Sequence, residues 1–321
     1  MNGVVASILA VLIYPGVLVA VVAALLLSWG RTSARATLIG NPIPGPLREV
    51  REVRATLERD AVLPEGAYGG IIGLASSTAI ILPLIALILL PVPGNPLVDA
   101  IGLRGDLAAE GALLLGVPLL RLFVGWAIPS PYTRLAADRG ARLLAGALLP
   151  MVLGLAAIAE QLTTLQLQVL PDPRNPLVTI TLITRLLAAL AFAFSLPVLA
   201  RASTLRVGGA EAELLGGELS EVSGRDLARF RIAEALQLVA VATLFVAAFL
   251  IPLFPTLEGA GRNVLWIAGI LATAVSIGAW DGFAARAPVR QERPPLSWWL
   301  GLPVLVGLLA LVAAAWAARG V

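Results

Sequence analysis

Cysteine, histidine and lysine are all absent from this sequence of 321 residues. Without thiolates and imidazoles, the chain lacks the usual protein ligands of zinc, haem and iron–sulfur clusters, and it has no cysteine nucleophile or histidine acid–base catalyst. A glycine-rich phosphate-binding loop of the P-loop or dinucleotide type is absent as well. Any chemistry of this chain must therefore depend on carboxylates, arginine and the packing of helices.

Charge is also scarce, whereas apolar residues are abundant. Charged residues make up 13% of the chain, hydrophobic residues make up 59%, and the mean hydropathy is +0.91. A water-soluble monomer of this composition would expose more apolar surface than such proteins tolerate, so we expect a lipid environment. The apolar residues form eight blocks near the length of a membrane-spanning helix, at residues 3–29, 69–92, 107–128, 143–158, 177–200, 232–254, 264–280 and 296–317.

These blocks predict an all-α polytopic membrane protein, with one membrane domain at residues 1–321 and about eight transmembrane helices. Helices are favoured because every backbone polar group in lipid must be satisfied within the segment, and the blocks lack the alternation of membrane β-strands. The fourth and seventh blocks are the shortest, so the helix count carries an error of about one.

The distribution of arginine predicts the orientation in the membrane. Seventeen of the 23 arginines lie in the odd-numbered connections, and four lie in the even-numbered connections and the C-terminal tail. By the positive-inside rule, the odd-numbered connections are cytoplasmic and both termini lie on the outer side. The basic pI therefore reflects membrane topology, and it gives no support to nucleic-acid binding.

The first predicted cytoplasmic connection contains the stretch PLREVREVRATLERD, which has the pattern of an amphipathic helix. Its apolar positions are Leu47, Val50, Val53 and Leu57, and the other side carries Arg48, Arg51 and Arg54. Such a helix is expected to lie in the membrane interface, with its arginines toward lipid phosphates or toward a partner protein. The sequence leaves both contacts open.

Carboxylates are concentrated around the fifth predicted connection, residues 201–231. They are Glu211, Glu213, Glu218, Glu221, Asp226 and Glu234, with Arg225 and Arg229 close by. Leucines lie between these acids, which indicates a folded and partly buried loop, although a loop exposed to water remains the alternative. Carboxylates crowded in a partly dry site repel one another and retain protons, as a proton relay requires. Glu234 continues into the sixth apolar block, where an ionisable group indicates function.

Two arginines lie within apolar blocks and need acidic partners. Arg121 and Arg185 are surrounded by apolar residues, and a charge at such depth is costly unless it is paired or hydrated. The candidate partners in or beside the membrane region are Glu110, Asp106 and Glu160. A structural ion pair and a role in ion conduction both remain open.

The acidic connection also carries a family resemblance. The pattern A-E-x-E-L-x-x-G-x-x-x-E-x-S-G, from Ala210 to Gly224, resembles the signature loop of the complex I membrane subunit called subunit 1 or H. The same family includes formate hydrogenlyase subunit 4 and the membrane-anchor subunits of membrane-bound NiFe hydrogenases. In this family the loop faces a peripheral redox arm and leads into the polar axis of the membrane arm. Glu211, Glu213 and Glu221 fall on this loop, so the resemblance adds to the proton pathway that the crowding of the six carboxylates already suggests.

Two further stretches resemble the hydrogenase branch of that family more than the quinone-reducing branch. WDGFAARAPVR, from Trp280 to Arg290, is similar to an E-N-x-x-A-R ending, with Asp281 near the acidic position. GWAIPSPY, from Gly125 to Tyr132, is similar to a G-x-D-x-x-S-P-F segment. One departure concerns the glutamate that the family usually places before a proline in the next helix, because Leu149 precedes Pro150 here.

The resemblance implies a non-catalytic membrane-arm subunit that holds the peripheral arm of a hydrogenase-like or complex I-like energy-converting oxidoreductase. It also implies hydrogenase-large-subunit-like and iron–sulfur partners, antiporter-like membrane partners and a location in the inner membrane. This chain itself is expected to bind no metal cofactor, because the NiFe and iron–sulfur centres belong to the partners. The alternatives are a quinone-site subunit of a NADH-quinone oxidoreductase and an unrelated secondary transporter.

Overall fold

The computed structural model describes residues 12, 16–92, 105–170, 179–200, 217–284 and 295–318. Within these residues, eight helices are long and apolar enough to cross a membrane. They are α1 (Val17–Ile39), α3 (Gly69–Leu89), α4 (Leu107–Ala127), α5 (Pro131–Leu162), α6 (Thr179–Leu199), α7 (Gly224–Phe245), α8 (Gly259–Ala284) and α9 (Pro295–Ala318). The predicted all-α multi-pass fold with about eight spans is confirmed, while the side of the membrane on which the termini lie stays a prediction.

The amphipathic helix predicted in the first connection is also present, as α2 (Arg48–Leu57), while its place in the membrane interface stays a prediction. Two exposed ion pairs at helical spacing support it, because Arg48 Nε lies 2.7 Å from Glu52 and Arg54 Nε lies 2.9 Å from Glu58. The segment is too short and too charged to cross lipid.

Several helices are longer than their apolar blocks, and the two short blocks are the clearest case. The fourth block lies inside α5, which has 32 residues, and the seventh lies inside α8, which has 26. Hydropathy marks the lipid-facing part of a helix only, whereas α5 begins at Pro131 and includes three arginines before the apolar part. Arginine is a good helix former and proline is favoured in the first turn, so the helix forms before the apolar block begins. Helix α1 likewise continues past the first block, which ends at residue 29, to Ile39. Gly40 then ends the helix in the left-handed conformation (φ 74°).

Helix α7 lies at the centre of the bundle. In the span Gly224–Leu253, which contains α7, 83% of the most apolar stretch is buried, compared with 22% in α1 and in α9, so those two are peripheral helices. The chain continues from α7 through a π-helical turn, Val246–Leu250, and a short 3₁₀ turn, Ile251–Leu253. Phe249 in the π-turn packs with Phe192 of α6 and Phe245 at ring-centroid distances of 5.6 and 5.4 Å.

Two ends of the bundle matter for the site. The loop side is the end that carries residues 217–223, together with α2, the beginning of α7 and the end of α8. The far side is the opposite end, where residues 163–170 cover the beginning of α4. Leu107 N donates to Leu165 O at 2.8 Å, and Leu167 N donates to Gly105 O at 3.0 Å.

Candidate functional site

A buried arginine and two carboxylates form the centre of the site on the loop side. Arg121 lies on α4, Glu234 lies on α7, and Glu218 lies in the turn before α7. Arg121 Nη1 contacts Glu234 Oε1, and Arg121 Nη2 lies 3.8 Å from Glu218 Oε2. The side chains of Arg121 and Glu218 are each 9% exposed, and that of Glu234 is 20% exposed. We call these three residues the carboxylate–arginine triad.

Two glycines make room for Glu218 between α4 and α5. A Cβ atom on Gly140 would lie 2.8 Å from Glu218 Oε1, and one on Gly125 would lie 3.1 Å from Glu218 Cβ. Leu219 and Val222 are only 5% and 2% exposed, so the same turn is held by apolar burial. The described part of the acidic connection is therefore folded into the helix bundle.

Ser223 and Gly224, the S-G pair of the signature pattern, hold the beginning of α7 against the segment that follows α2. Ser223 Oγ accepts a hydrogen bond from Val62 N at 2.7 Å, and it lies 3.1 Å from Asp60 O, to which it can donate. Gly224 has a φ of +61°, and a Cβ atom there would lie 2.8 Å from Arg59 O. Only glycine meets both the conformational and the steric requirement.

Asp226 and Arg231 extend these contacts to α3 and α2. Ser76 Oγ donates to Asp226 Oδ1 at 2.7 Å, and Arg229 Nη1 donates to the same oxygen at 3.1 Å. Arg231 Nη1 donates to the buried Thr56 Oγ1 at 3.2 Å. The amphipathic helix α2 is thus docked on α7.

The other end of the acidic connection is held by an arginine that the sequence analysis did not identify. Arg31 of α1 makes an ion pair with Asp281 of α8 at 2.9 Å, and its Nη1 donates to Ala200 O at 2.7 Å. Asp281 is 2% exposed. Ala200 is the last described residue before the acidic connection. Arg31 therefore holds the beginning of that connection by a hydrogen bond, and Ser223 holds its end in the same way. The sequence signal was the spacing of Gly278 and Gly282, since small residues four apart let two membrane helices approach closely.

Glu49 is a second residue that the sequence analysis missed. It lies half-buried on α2 and faces α1 near Ser28 and Arg31. Burial raises the pKa of the Glu49 carboxyl above its usual value of 4.5, while a hydrogen bond with Ser28 and the charge of Arg31 act in the opposite direction. The interface between α1 and α2 therefore contains a group whose charge responds to pH.

The structure does not bring the acids proposed as partners of Arg121 to that residue. Glu110 lies eleven residues before Arg121 on α4, about 16 Å away along the helix axis. Asp106 caps α4 by accepting from Ala108 N at 2.8 Å, and Glu160 is exposed on α5. Glu218 and Glu234 take the partner role because α7 crosses α4 near Arg121, a proximity that the separate apolar blocks do not reveal.

The remaining predicted residues are placed as follows. Glu211 and Glu213 lie outside the described residues, Glu221 is half-buried, and Arg185 is 4% exposed on α6. The positions proposed to contact lipid or a peripheral arm, Arg48, Arg51, Arg54 and Arg225, are all exposed, and Arg229 is half-buried. Leu149, at the place of the usual family glutamate, is 54% exposed. In the described part of the chain, no cluster of three or more carboxylates is arranged to hold a metal ion.

Comparisons with known proteins agree with this architecture. No curated protein sequence matches the chain. A chain in the structure of the membrane-bound sulfane sulfur reductase, an archaeal respiratory membrane complex, has the same fold with a TM-score of 0.75. It is 17% identical, and the match covers 98% of this chain and 100% of that one. The family described as NADH dehydrogenase matches residues 6–315. The chain therefore belongs to the NADH dehydrogenase family, as the acidic signature loop predicted, and it is a multi-pass membrane subunit of an energy-converting oxidoreductase in a multi-subunit respiratory complex.

Proposed function

We propose that this subunit holds the peripheral redox arm of a hydrogenase-like or complex I-like oxidoreductase and couples its chemistry to ion translocation. The observation that carries the proposal is the carboxylate–arginine triad. Glu218 belongs to the acidic connection, whereas Arg121 and Glu234 belong to membrane-spanning helices. The triad therefore joins the acidic connection to two membrane-spanning helices through buried ion pairs.

The triad can respond to a proton because one guanidinium is shared by two carboxylates. When either carboxylate takes up a proton, Arg121 retains a single ionised partner and its position between them is no longer balanced. A change in protonation at Glu218 is then communicated to Glu234 without movement of a whole helix. Since Glu218 lies in a slot between Gly125 and Gly140, displacement of the connection by a redox partner would also move its carboxyl group.

The proposed partners follow from the faces that the structure leaves exposed. We place hydrogenase-large-subunit-like and iron–sulfur subunits on the loop side, against Arg225 and the arginines of α2, and antiporter-like subunits beside the bundle in the inner membrane. Metal centres belong to those partners in this proposal. A quinone site would instead mark the NADH-quinone oxidoreductase alternative. The family match over residues 6–315 removes the support for an unrelated transporter.

Docking of the peripheral redox arm on the loop side can be tested with single cysteine substitutions, because the chain has no cysteine of its own. Arg225→Cys places a thiol on the loop side, and Glu258→Cys places one on the far side as a matched exposed control. In the native complex, a thiol-reactive crosslinker should capture a peripheral redox subunit from position 225 and not from position 258. Mass spectrometry of the captured subunit distinguishes a NiFe-type large subunit from a quinone-reductase subunit. Equal capture from both positions would contradict the proposal.

Coupling can be tested at the triad. Glu234→Gln preserves the shape of the side chain and removes its charge, and Glu258→Gln is the control on the exposed surface. We expect Glu234→Gln to lower the number of ions moved per redox turnover in reconstituted vesicles, with no change in the control. If an assembled Glu234→Gln complex moved the same number of ions per redox turnover as the wild type, ion movement would not depend on this triad.

A further inference from the structure

Glu110 is a buried carboxyl group that the triad does not use. It lies in the first turn of α4 on the far side, and its exposure is 0%. Both of its carboxyl oxygens are buried and lack a hydrogen-bond partner among the described residues. Nearly all buried polar groups in proteins have partners, so a carboxyl group with none needs a physical explanation.

The position of Glu110 on α4 connects it with the contact between α4 and α7. Separations of four and eleven residues return to the same side of an α-helix, so Glu110, Leu114 and Arg121 share one face. This face meets α7 at two points. Arg121 contacts Glu234, and the carbonyl of Leu114 accepts a hydrogen bond from Gln237 Nε2. On α4, Glu110 therefore lies one helical turn beyond the Leu114 carbonyl that Gln237 contacts, toward the far side.

Helix α7 contains other buried polar atoms that lack partners among the described residues. Gln237 is 1% exposed and Thr243 is 0% exposed, and neither Gln237 Oε1 nor Thr243 Oγ1 has a hydrogen-bond partner among the described residues. Thr243 lies one turn before the π-helical segment of α7, and such segments are frequent at functional sites. Buried polar atoms of this kind are usually satisfied by internal water.

The described surroundings of Glu110 oppose a negative charge. The covering segment at residues 163–170 closes this end of α4, and Leu107 and Leu167 are 3% and 0% exposed. The described charged groups at this end include Asp106, which caps α4, Glu160, which is exposed, and Arg185, which is buried on α6. Glu258 and Arg262 also lie on the far side, at the beginning of α8. None of them makes a direct hydrogen bond to Glu110 in the described structure. A carboxyl group buried without a cation or donors is more stable in its protonated form.

We propose that Glu110 is a proton-binding site, protonated at neutral pH, whose proton exchanges through internal water held by Gln237. The site lies on the far side of the bundle, beyond the triad, on the same α4 face. Its part in ion translocation rests on the proposed function, whereas the presence of the bound proton does not. The competing arrangement is an ionised Glu110 that is balanced through water by Arg185.

A hydrophobic carbodiimide tests the protonation state in membranes that contain the native complex. Dicyclohexylcarbodiimide reacts with protonated carboxyl groups in apolar surroundings. The acid proton goes to a carbodiimide nitrogen, the carboxyl oxygen bonds to the central carbon, and the acyl group then migrates to nitrogen, so that nothing is released. We expect an adduct on Glu110, located by peptide mass spectrometry. Its yield should fall by about tenfold per pH unit once the carboxyl group ionises.

Two variants complete the test. Glu110→Gln should abolish the adduct at this position, and Glu258→Gln, an exposed carboxylate on the same side of the bundle, should leave it unchanged. If Glu110→Gln fails to assemble, the position of the adduct in the wild-type complex still decides. Carbodiimide adducts at other carboxyl groups without one on Glu110 would overturn the proposal and favour the pair with Arg185.

The water route is tested with Gln237→Met, which keeps the apolar bulk and removes the amide. The neutral carboxyl band of Glu110 is the infrared band that is lost in Glu110→Gln. We expect this band to exchange with deuterium several-fold more slowly in Gln237→Met, and an unchanged exchange rate would overturn the route through Gln237. A third outcome is that Glu110 is labelled in the wild type while Glu110→Gln leaves ion movement unchanged. This outcome would support the proton-binding site and contradict only its part in coupling.

Discussion

Arg121 and Glu110 lie on one face of α4, and they differ in whether they have a direct charged partner. On the loop side, Arg121 is held directly by Glu218 and Glu234. On the far side, Glu110 has no partner among the described residues. Direct ion pairs define one geometry and make it costly to remove either partner. A lone buried carboxyl group defines no geometry, and it remains neutral. The difference indicates that the loop side positions charge, whereas the far side stores a proton.

Substitution of the arginine should have the largest effect on the loop side. Arg121→Met leaves two carboxylates buried without their cation, which costs about 3–5 kcal/mol in comparable buried pairs. We expect little assembled complex in membranes, measured by native electrophoresis. Adding Glu234→Gln to this variant removes one of the two unpaired charges and should restore part of the assembly. If Arg121→Met assembles as well as the wild type, the triad does not stabilise the loop side.

Substitution of Gly224, which packs closely against Arg59 at the beginning of α7, should have the next largest effect. Gly217 is a nearby glycine without such a close contact, and it serves as the comparison. Gly224 and Gly217 both have positive φ, at 61° and 81°. An alanine at either position costs about 1–2 kcal/mol for the left-handed conformation. At Gly224 the new Cβ would also overlap Arg59 O, which adds about 1–3 kcal/mol, whereas nothing lies within 4 Å at Gly217. The melting temperature of the purified complex should therefore fall more for Gly224→Ala than for Gly217→Ala. Equal falls would show that the close contact of Gly224 with Arg59 does not contribute to stability.

Neutralisation of one glutamate at each end tests the comparison directly. Glu234→Gln removes a charge that Arg121 uses, so we expect a loss of about 1–3 kcal/mol in stability. Glu110→Gln replaces a protonated carboxyl group by an amide of similar size, so we expect a change below about 1 kcal/mol. Denaturation of the purified complex followed by tryptophan fluorescence measures both values. A larger loss from Glu110→Gln would mean that Glu110 is ionised and paired, which reverses the comparison.

The smallest effect concerns pH on the loop side. The raised pKa of Glu49 means that the docked state of α2 favours the protonated carboxyl group. Docking is therefore strongest at low pH, and it weakens as the pH rises from 4.5, the value in the undocked segment, through the raised pKa. Proteolysis between α1 and α2 should become faster over this interval in the wild type. Glu49→Gln should remove the pH dependence, and the same dependence in that variant would assign it to another group.

The sequence predicted the membrane spans and the family, but it did not predict the contacts within the candidate site. Apolar blocks identified the spans, and the pattern from Ala210 to Gly224 identified the family, because both signals are local along the chain. The partners of Arg121 were not predictable, since the ion pairs join α4 to residues about a hundred positions later. Arg31 was missed for the same reason, because its partners Asp281 and Ala200 are distant in sequence. The apolar block at residues 143–158 is shorter than α5, because hydropathy does not detect a helix that continues outside lipid.

Composition and local pattern alone determined that this chain spans a membrane as helices, since a lipid environment permits few other solutions for apolar segments of this length. The same patterns determined that acids gather before α7 and that one of them continues into an apolar segment. The tertiary structure decided which charges are neutralised and which are not. That outcome depends on which helix faces meet, and the crossing of α7 with α4 gives Arg121 two carboxylates and leaves Glu110 beyond the reach of any direct partner in the described chain.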